Sequence, residues 1–362
     1  MTEALLSIRG LVTEFSTPDG VVHAVDGVSY DVHPGETVGI VGESGSGKSV
    51  TVMSILRLIP QPPGRIAAGE ILLEGRNLLD LDDAELRRVR GREIAMIFQD
   101  PMTSLNPVLT VGSQLAEAIQ THDKQVADAE ARRRVVELLE LVGVPNAAAR
   151  FGQYPHEYSG GMRQRAMIAM AIANRPKILI ADEPTTALDV TIQAQVLQVL
   201  KTAQEETQAG TILITHDLGV IAEMADRVVV MYGGKVVETG TVDDIFHNPS
   251  HPYTLGLLSS LPRAGKQVER LEPIPGQPPS LINLPGGCSF HPRCRMSQGR
   301  DRCRTEVPEL VQLSDGRASA CHFHEELPEE IARISAATGV DIERGPHAAG
   351  ESEAGHDQRE DD

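Results

Sequence analysis

Apolar residues fall along this chain in two rhythms. The first is the short unbroken run. Thr37–Val41, Ile94–Gln99 (IAMIFQ), Lys177–Asp182 (KILIAD) and Thr211–Thr215 (TILIT) are each bounded by polar or turn residues. Runs of this length without alternation read as strands covered on both faces, as in a parallel sheet. The second rhythm is helical. Apolar positions recur at three- and four-residue spacing in VGSQLAEAIQ and in ADAEARRRVVELLELVG, which Gly143 and Pro145 terminate. Met162–Asn174 and Val190–Gln208 follow the same spacing, the former with Ser159 as N-cap, and Asp82–Arg90 predicts a short charged helix. The N-terminal part differs. Leu5–Arg9 and Val21–Val32 predict strands about a turn at Pro18-Asp19-Gly20, with a further strand in Gly69–Gly75. Arg227–Tyr232 and Lys235–Glu238 flank Gly233-Gly234 as a closing hairpin. Strands alternating with helices predict an α/β core with a helical insert from Val111 to about Phe151.

The loop after Thr37–Val41 carries the first chemistry. Gly42, Gly47, Lys48 and Ser49 complete G-x-x-x-x-G-K-[ST], with Glu43, Ser44, Gly45 and Ser46 inside it. Glycines let successive N–H groups turn inward on a phosphate, and the helix starting near Lys48 presents its uncapped N–H groups there. Lys48 is placed to reach the β- and γ-phosphates, and the Ser49 hydroxyl to ligate Mg²⁺. The other strand ends add to this. Asp182 is placed to hold Mg²⁺, Glu183 to polarise the attacking water, and Gln99 and His216 to meet metal, water or γ-phosphate. Phe15 and Tyr30 are the aromatics that precede the loop, and either could stack on a base. Polar groups gathered at the carboxyl ends of strands are what an open α/β sheet offers a ligand.

Composition changes the picture in three ways. At 362 residues the chain has room for two or three domains. Only 3% of residues are aromatic and none is tryptophan, so the core is aliphatic. No apolar run reaches the ~20 residues that span a bilayer, and MTEALLSIRG lacks the form of a secretory signal, so a cytosolic chain attached to membranes through partners is expected. A net charge of −18 argues against broad affinity for nucleic acid. Beyond about Leu261 the sequence turns rich in proline and glycine. Cys288, Cys294, Cys303 and Cys321 follow, spaced C-x5-C-x8-C-x17-C among several arginines. The spacing admits an iron–sulfur cluster, a zinc site helped by His291, His322 or His324, or unligated thiols. The end of the chain, 329–362, is expected to be a polar, acidic tail, disordered at its end.

Taken together these motifs resemble the ATP-binding cassette family over roughly residues 4–260. GESGSGKS resembles Walker A, Gln99 the Q-loop, YSGGMRQR (Tyr158–Arg165) the family signature, ILIADEP Walker B with its glutamate, Thr186–Asp189 the D-loop and His216 the switch histidine. Phe15 is similar in place to the aromatic A-loop residue. Tyr158 and Met162 depart from the usual signature, while Ser159, Gly160 and Gly161 keep it. The resemblance implies an α/β phosphate-loop ATPase core at 1–260 with an antiparallel β subdomain and a helical subdomain at about 101–175. A small cysteine-containing C-terminal extension at 261–328 follows it. It implies ATP and Mg²⁺ as ligands, and two cassettes facing head to tail, so that Ser159, Gly160, Gly161 and Met162 of one meet ATP on the other, near Asp189. Glu183, His216 and Gln99 then carry catalysis.

Two further stretches, MIFQDPMTSLNPVLTVG and FHNPSHPYTLGLLSSLP, resemble the oligopeptide/dipeptide/nickel importer branch. That resemblance implies an ATPase energising peptide uptake, with nickel uptake as the alternative, at the cytoplasmic face of the membrane. Its implied partners are two transmembrane permease subunits, a second ATP-binding subunit (a similar sister chain or a second copy) and, indirectly, an extracytoplasmic peptide-binding protein. Members of this branch carry a 4Fe–4S cluster on cysteines spaced like these, which makes the cluster the leading reading and zinc the alternative. A soluble cassette ATPase of iron–sulfur assembly or DNA repair, and a nucleotide sensor without turnover, fit less well. The chain has one cassette, no heptad run, and intact Glu183 and His216.

Overall fold

The fold is described from a computed structural model, which covers residues 3–100, 104–186, 188–260, 274–313 and 316–338. Parts of the expected loop at 100–107 and of the Thr186–Asp189 loop, the linker at 261–273 and the tail from 339 lie outside the described residues. The chain divides into two compact units, Met1–Val236 with Ser280–Leu284, and Val237–Pro279 with Pro285–Asp362.

The first unit holds two sheets. One is antiparallel, in the order β2 (Gly20–Val32), β1 (Leu6–Thr17), β4 (Gly64–Leu73), β5 (Arg76–Asn77). The other runs β9 (Arg227–Tyr232), β3 (Thr37–Val41), β8 (Gly210–Ile214), β7 (Ile178–Asp182), β6 (Ile94–Ile97), every neighbouring pair parallel. Strands β3, β7 and β8 are buried along their whole length, as their unbroken apolar sequence demands. One apolar cluster joins both sheets through the helix Lys48–Ile55. It includes Leu6, Ile8 and Ile71 from the antiparallel sheet, Ile40, Ile180 and Ile212 from the parallel one, and Val52 and Ile55 from the helix. Each such fully buried side chain is worth roughly 2 kcal/mol. The phosphate-binding loop is therefore anchored at both ends by core.

Two strands run longer than the sequence pattern predicts, and the reason is local. The pairing of β1 with β2 shifts register between Ile8 and Leu11, where Gly10 takes φ 54°. The bulge breaks the alternation that would have carried the strand beyond Arg9. Gly69 is not a strand boundary. It has φ 101°, and a Cβ there would lie 2.6 Å from the Leu11 Cα. It is a mid-strand glycine that admits the bulged neighbour.

The helical part follows its periodicity. Val111–His122 buries Leu115 and Ile119, and Asp128–Leu141 buries Ala131, Val135 and Leu139. Both pack against each other and against Gly160–Ile172. Thr110 caps the first of these helices by accepting from the Ser113 N–H.

The strand Lys235–Thr241 (β10) carries the chain from the first unit into the second. There Glu238 and Thr239 pair antiparallel with Ser319 and Ala318, which pair in turn with Val311–Gln312. Glu238 is wholly buried and accepts from the backbone N–H groups of Ser250 and His251, which open the helix Pro252–Ser259. Burial pushes its carboxyl up to about 7 against those donors. The buried His251 accepts at Nδ1 from the Tyr253 N–H, and burial holds its imidazole down at about 3, so it is neutral. Around the cysteines the chain is built of short turns and the helix Asp301–Thr305. Among the described residues no helix is long and apolar enough to cross a membrane.

Candidate active site

The site forms where β3, β6, β7 and β8 end. After Val41 the chain enters the glycine loop, and two of its glycines are fixed by their surroundings. A Cβ on Gly42 (φ 151°) would lie 2.2 Å from the Met231 carbonyl oxygen, and one on Gly47 (φ 101°) 2.3 Å from that of Ala24. Gly45 (φ 80°) faces open space. The buried Ser46 presents its carbonyl to the Gly234 N–H at 3.1 Å, tying the loop to the turn after β9. Gly47 supplies no side-chain cap, so the first N–H groups of Lys48–Ile55 are left for a ligand. Lys48 is buried and folds back, its Nζ donating to the carbonyls of Gly42 (2.8 Å) and Glu43 (2.9 Å). Burial lowers its pKa, while Glu183, Asp182 and Glu43 pull it back up.

Carboxylates meet this loop from β7. Asp182, the last residue of that strand, is buried and accepts from the Ser49 hydroxyl at 3.1 Å. Burial raises its carboxyl, and the Ser49 hydroxyl opposes the rise. Glu183 turns out of the strand with φ 48°, a left-handed conformation that is strained for a residue with a Cβ, and its N–H donates to the Ile214 carbonyl at 2.9 Å. Three groups converge on a single oxygen of its side chain. Oε2 accepts from Gln99 Nε2 at 3.0 Å and from the Thr186 hydroxyl at 2.7 Å, and His216 Nδ1 stands 3.6 Å away. The structure thus brings Ser49, Asp182, Glu183, Gln99 and His216 into one group at the end of β7, which Lys48 meets through the charge of both carboxylates. The Thr186 hydroxyl is a member that sequence reasoning missed. A threonine three residues beyond a carboxylate carries no signal until the turn places it.

Other expected residues stand apart from this group. Phe15 lies on β1 opposite Val22 and Gly64, with its ring edge against Gly64. Tyr30, the alternative base platform, is a core residue. Ser159 caps the helix Gly160–Ile172, its hydroxyl accepting from the Met162 N–H at 3.3 Å. Ser159 and Gly160 are exposed, and no described hydrogen bond or ion pair joins Ser159–Met162 to the carboxylate group. Tyr158 has a physical reason for departing from the usual leucine. Its ring is buried and its hydroxyl donates to the Arg150 carbonyl at 3.1 Å. Asp189 caps the helix Val190–Thr207 through the Ile192 N–H at 3.0 Å.

In the second unit, Cys288, Cys294, Cys303 and Cys321 are free thiols lining one pocket with Phe290, Met296 and Phe323. Burial pushes Cys294 up to about 11 and Cys321 up to about 12, and the cysteines' mutual repulsion adds to the rise. The Arg300 and Arg302 guanidiniums counter it at Cys303. His291 Nδ1, His322 Nε2 and His324 Nδ1 each bond a backbone carbonyl. Among the described residues no three His, Cys, Asp or Glu side chains stand as the ligands of one ion.

A glycine loop at a helix start, a lysine within it, and a hydroxyl–carboxylate pair beside a second, held carboxylate make this the site of a phosphate-loop nucleotide hydrolase. Comparison with known proteins agrees. A family model described as ABC transporter matches residues 25–186, and one described as oligopeptide/dipeptide transporter, C-terminal region, matches 237–303. The dipeptide transport ATP-binding protein DppD of Bacillus subtilis is 55% identical over 329 residues, 90% of this chain and 97% of that one. The oligopeptide transport ATP-binding protein OppD of the same organism is 54% identical over 312 residues, 86% of each. Among solved structures, the dimeric ABC transporter cassette MJ0796 superposes with a TM-score of 0.59 at 29% identity, covering 66% of this chain and 98% of that one. The chain belongs to the ATP-binding subunits of ABC transporters, in the oligopeptide and dipeptide importer branch. It is a transport ATPase.

Proposed function

We propose that this chain hydrolyses ATP to energise uptake of di- or oligopeptides, working at the cytoplasmic face of the membrane. Its partners are two permease subunits, a second ATP-binding subunit and an extracytoplasmic peptide-binding protein. The observation that carries the hydrolytic part is the convergence of Gln99, Thr186 and His216 on Glu183, next to Asp182 and Ser49. The transported class rests on relatives such as OppD and DppD, whose names state oligopeptide and dipeptide transport. These names favour peptides over nickel.

In this reading the N–H groups of Gly42–Ser49, with Lys48, hold the ATP phosphates, and Phe15 stacks on the base. The donors present fit Mg²⁺, since Ser49 and Asp182 already face each other and the Gln99 amide reaches the adjacent carboxylate. Mg²⁺ would neutralise charge on the β- and γ-phosphate oxygens. Ser49 and Gln99 would ligate it, and Asp182 would hold it through water. Glu183 takes the proton of the attacking water, and His216 bonds the γ-phosphate. Ser159, Gly160, Gly161 and Met162 serve the ATP of the other cassette, beside Asp189. ATP bound between two cassettes closes them, and loss of the γ-phosphate opens them. Co-purification from membranes tests the assignment. Two polytopic proteins and a cassette subunit are expected with the tagged chain, and recovery of only soluble proteins would contradict it.

For the cysteines the proposal is a 4Fe–4S cluster with a structural role. All four cysteines line one largely apolar pocket, and Arg300 and Arg302 offset thiolate charge at Cys303. The spacing lacks the close C-x2–4-C pair usual for zinc, which favours an iron–sulfur centre. Such a centre would cross-link turns that bury little apolar area by themselves. Anaerobically purified protein is expected to contain iron and acid-labile sulfide in equal amounts. Zinc alone, or neither iron nor sulfide, would contradict the cluster.

A further inference from the structure

Between Pro279 and Pro285 the chain leaves the unit to which its neighbours belong. Ser280–Leu284 is part of the first unit, whereas Val237–Pro279 and the residues from Pro285 onward form the second. Pro278, Pro279 and Pro285 hold the residues before them extended, which sets the entry and the exit. Inside the excursion a turn closes, the Asn283 N–H donating to the Ser280 carbonyl at 3.1 Å and the Ile282 N–H to the Ser280 hydroxyl at 3.4 Å. Leu281, Ile282 and Leu284 are half-buried. Ile282 stands at the tip of the β1–β2 hairpin, where a Cβ on Gly20 would lie 3.9 Å from its Cγ2.

That tip is one end of a line along β2. At the other end the Ala24 carbonyl meets Gly47 of the phosphate-binding loop. Midway, Val22 pairs with Phe15. Gly20, Val22 and Ala24 are two residues apart, about 7 Å per step. Phe15, Thr17 and Val22 share one face of the hairpin, because cross-strand partners and residues two apart along a strand point the same way. All three are half-buried, while Ser16 and Val21 on the opposite face are exposed.

We propose that Ile282 is the outer wall of the base site. With the phosphates of ATP at Gly47 and its base on Phe15, the turn Ser280–Asn283 covers the edge of the base that faces the hairpin tip. The inference rests on Phe15 as the base platform. An aromatic ring beneath a base leaves the edges of that base to water, and a branched apolar side chain fixed by a turn displaces water there. The C-terminal region thereby supplies a binding residue to the nucleotide site.

Photolabelling of the full chain with 2-azido-ATP or 8-azido-ATP and Mg²⁺, followed by peptide mapping, tests this directly. Label is expected on the hairpin, 15–22, and on the peptide that carries 280–284. Label on the hairpin with none on 280–284 overturns the wall and leaves the platform standing. Label on neither segment removes the platform and the wall with it. Equilibrium binding gives a second readout. Ile282→Ser is expected to weaken ATP binding roughly fivefold, the factor for part of an isoleucine's burial, and to leave the affinity for inorganic tripolyphosphate, which has no base, unchanged. Ile282→Leu keeps an apolar side chain and should bind ATP as the wild type does. Unchanged ATP affinity in Ile282→Ser, or an equal loss for ATP and tripolyphosphate, would overturn the proposal. Phe15→Ala in the same assay tests the platform by itself, since unchanged ATP affinity in that variant removes it.

Discussion

Glu183→Gln is expected to lower ATP turnover by about three orders of magnitude, within the range that a positioned general base contributes. Affinity for ATP should stay within about twofold, because the substitution leaves the phosphate-binding groups in place. The reasons are on the strand. Glutamine keeps the length of the side chain, and its carbonyl oxygen can still accept the Thr186 hydroxyl, so the turn at φ 48° retains its support. It cannot take a proton from water. Lys48 donates to the Gly42 and Glu43 carbonyls and Ser49 to Asp182, so these hydrogen bonds do not use Glu183 as a partner and the phosphate-binding groups keep their places. Steady-state phosphate release and equilibrium nucleotide titration check the two halves separately. Turnover within tenfold of wild type would remove Glu183 from the role of base. A large fall in affinity would mean that it binds rather than reacts.

The second large effect is expected from Gly47→Ala. The new Cβ would lie 2.3 Å from a backbone oxygen on β2, a neighbour that cannot rotate away, and φ is 101°. Relief requires the loop to swing off the strand or change conformation, which turns its N–H groups away from the phosphates. ATP affinity is expected to fall at least ~100-fold, equivalent to about 3 kcal/mol. Melting should change far less, because the apolar cluster beneath the loop keeps all its members. Gly45→Ala is the control. It carries the left-handed strain alone, φ 80° in open space, and should cost only ~1–2 kcal/mol. If the two alanine variants bind ATP equally, the close approach at Gly47 does not set the geometry of the loop.

How far the sequence anticipated this site depends on which physical signal each part carries. Strands β3, β7 and β8 are covered on both faces, and unbroken apolar runs record that directly. The polar residues that terminate them, Asp182, Glu183 and His216, could therefore be placed at strand ends before any coordinates. The antiparallel sheet was harder. Gly10 and Gly69 serve a bulge and a close approach, and both look like strand boundaries when each strand is read alone. Thr186 was invisible for a related reason. Its hydroxyl matters through a turn that a left-handed Glu183 creates, and no periodicity records a single positive φ. The change of unit at Val236 left no mark either, because a strand carries the chain through it and the composition shifts only near 261. Cysteine spacing gave a candidate set but no geometry. The shared pocket is a product of turns brought together by Arg300, Phe323 and Glu326, where the guanidinium lies 4.0 Å over the ring and bonds the carboxylate.

We propose that the work this transport ATPase does in peptide import depends on Glu183. Uptake of a radiolabelled di- or oligopeptide tests that claim most directly, in cells whose own copy of the gene is replaced by the wild-type or the Glu183→Gln form. Energy-dependent uptake is expected with the wild type. With Glu183→Gln none is expected, although the subunit still assembles with its permease. Wild-type uptake by the Glu183→Gln cells, or uptake that persists when the chain is absent, would contradict it.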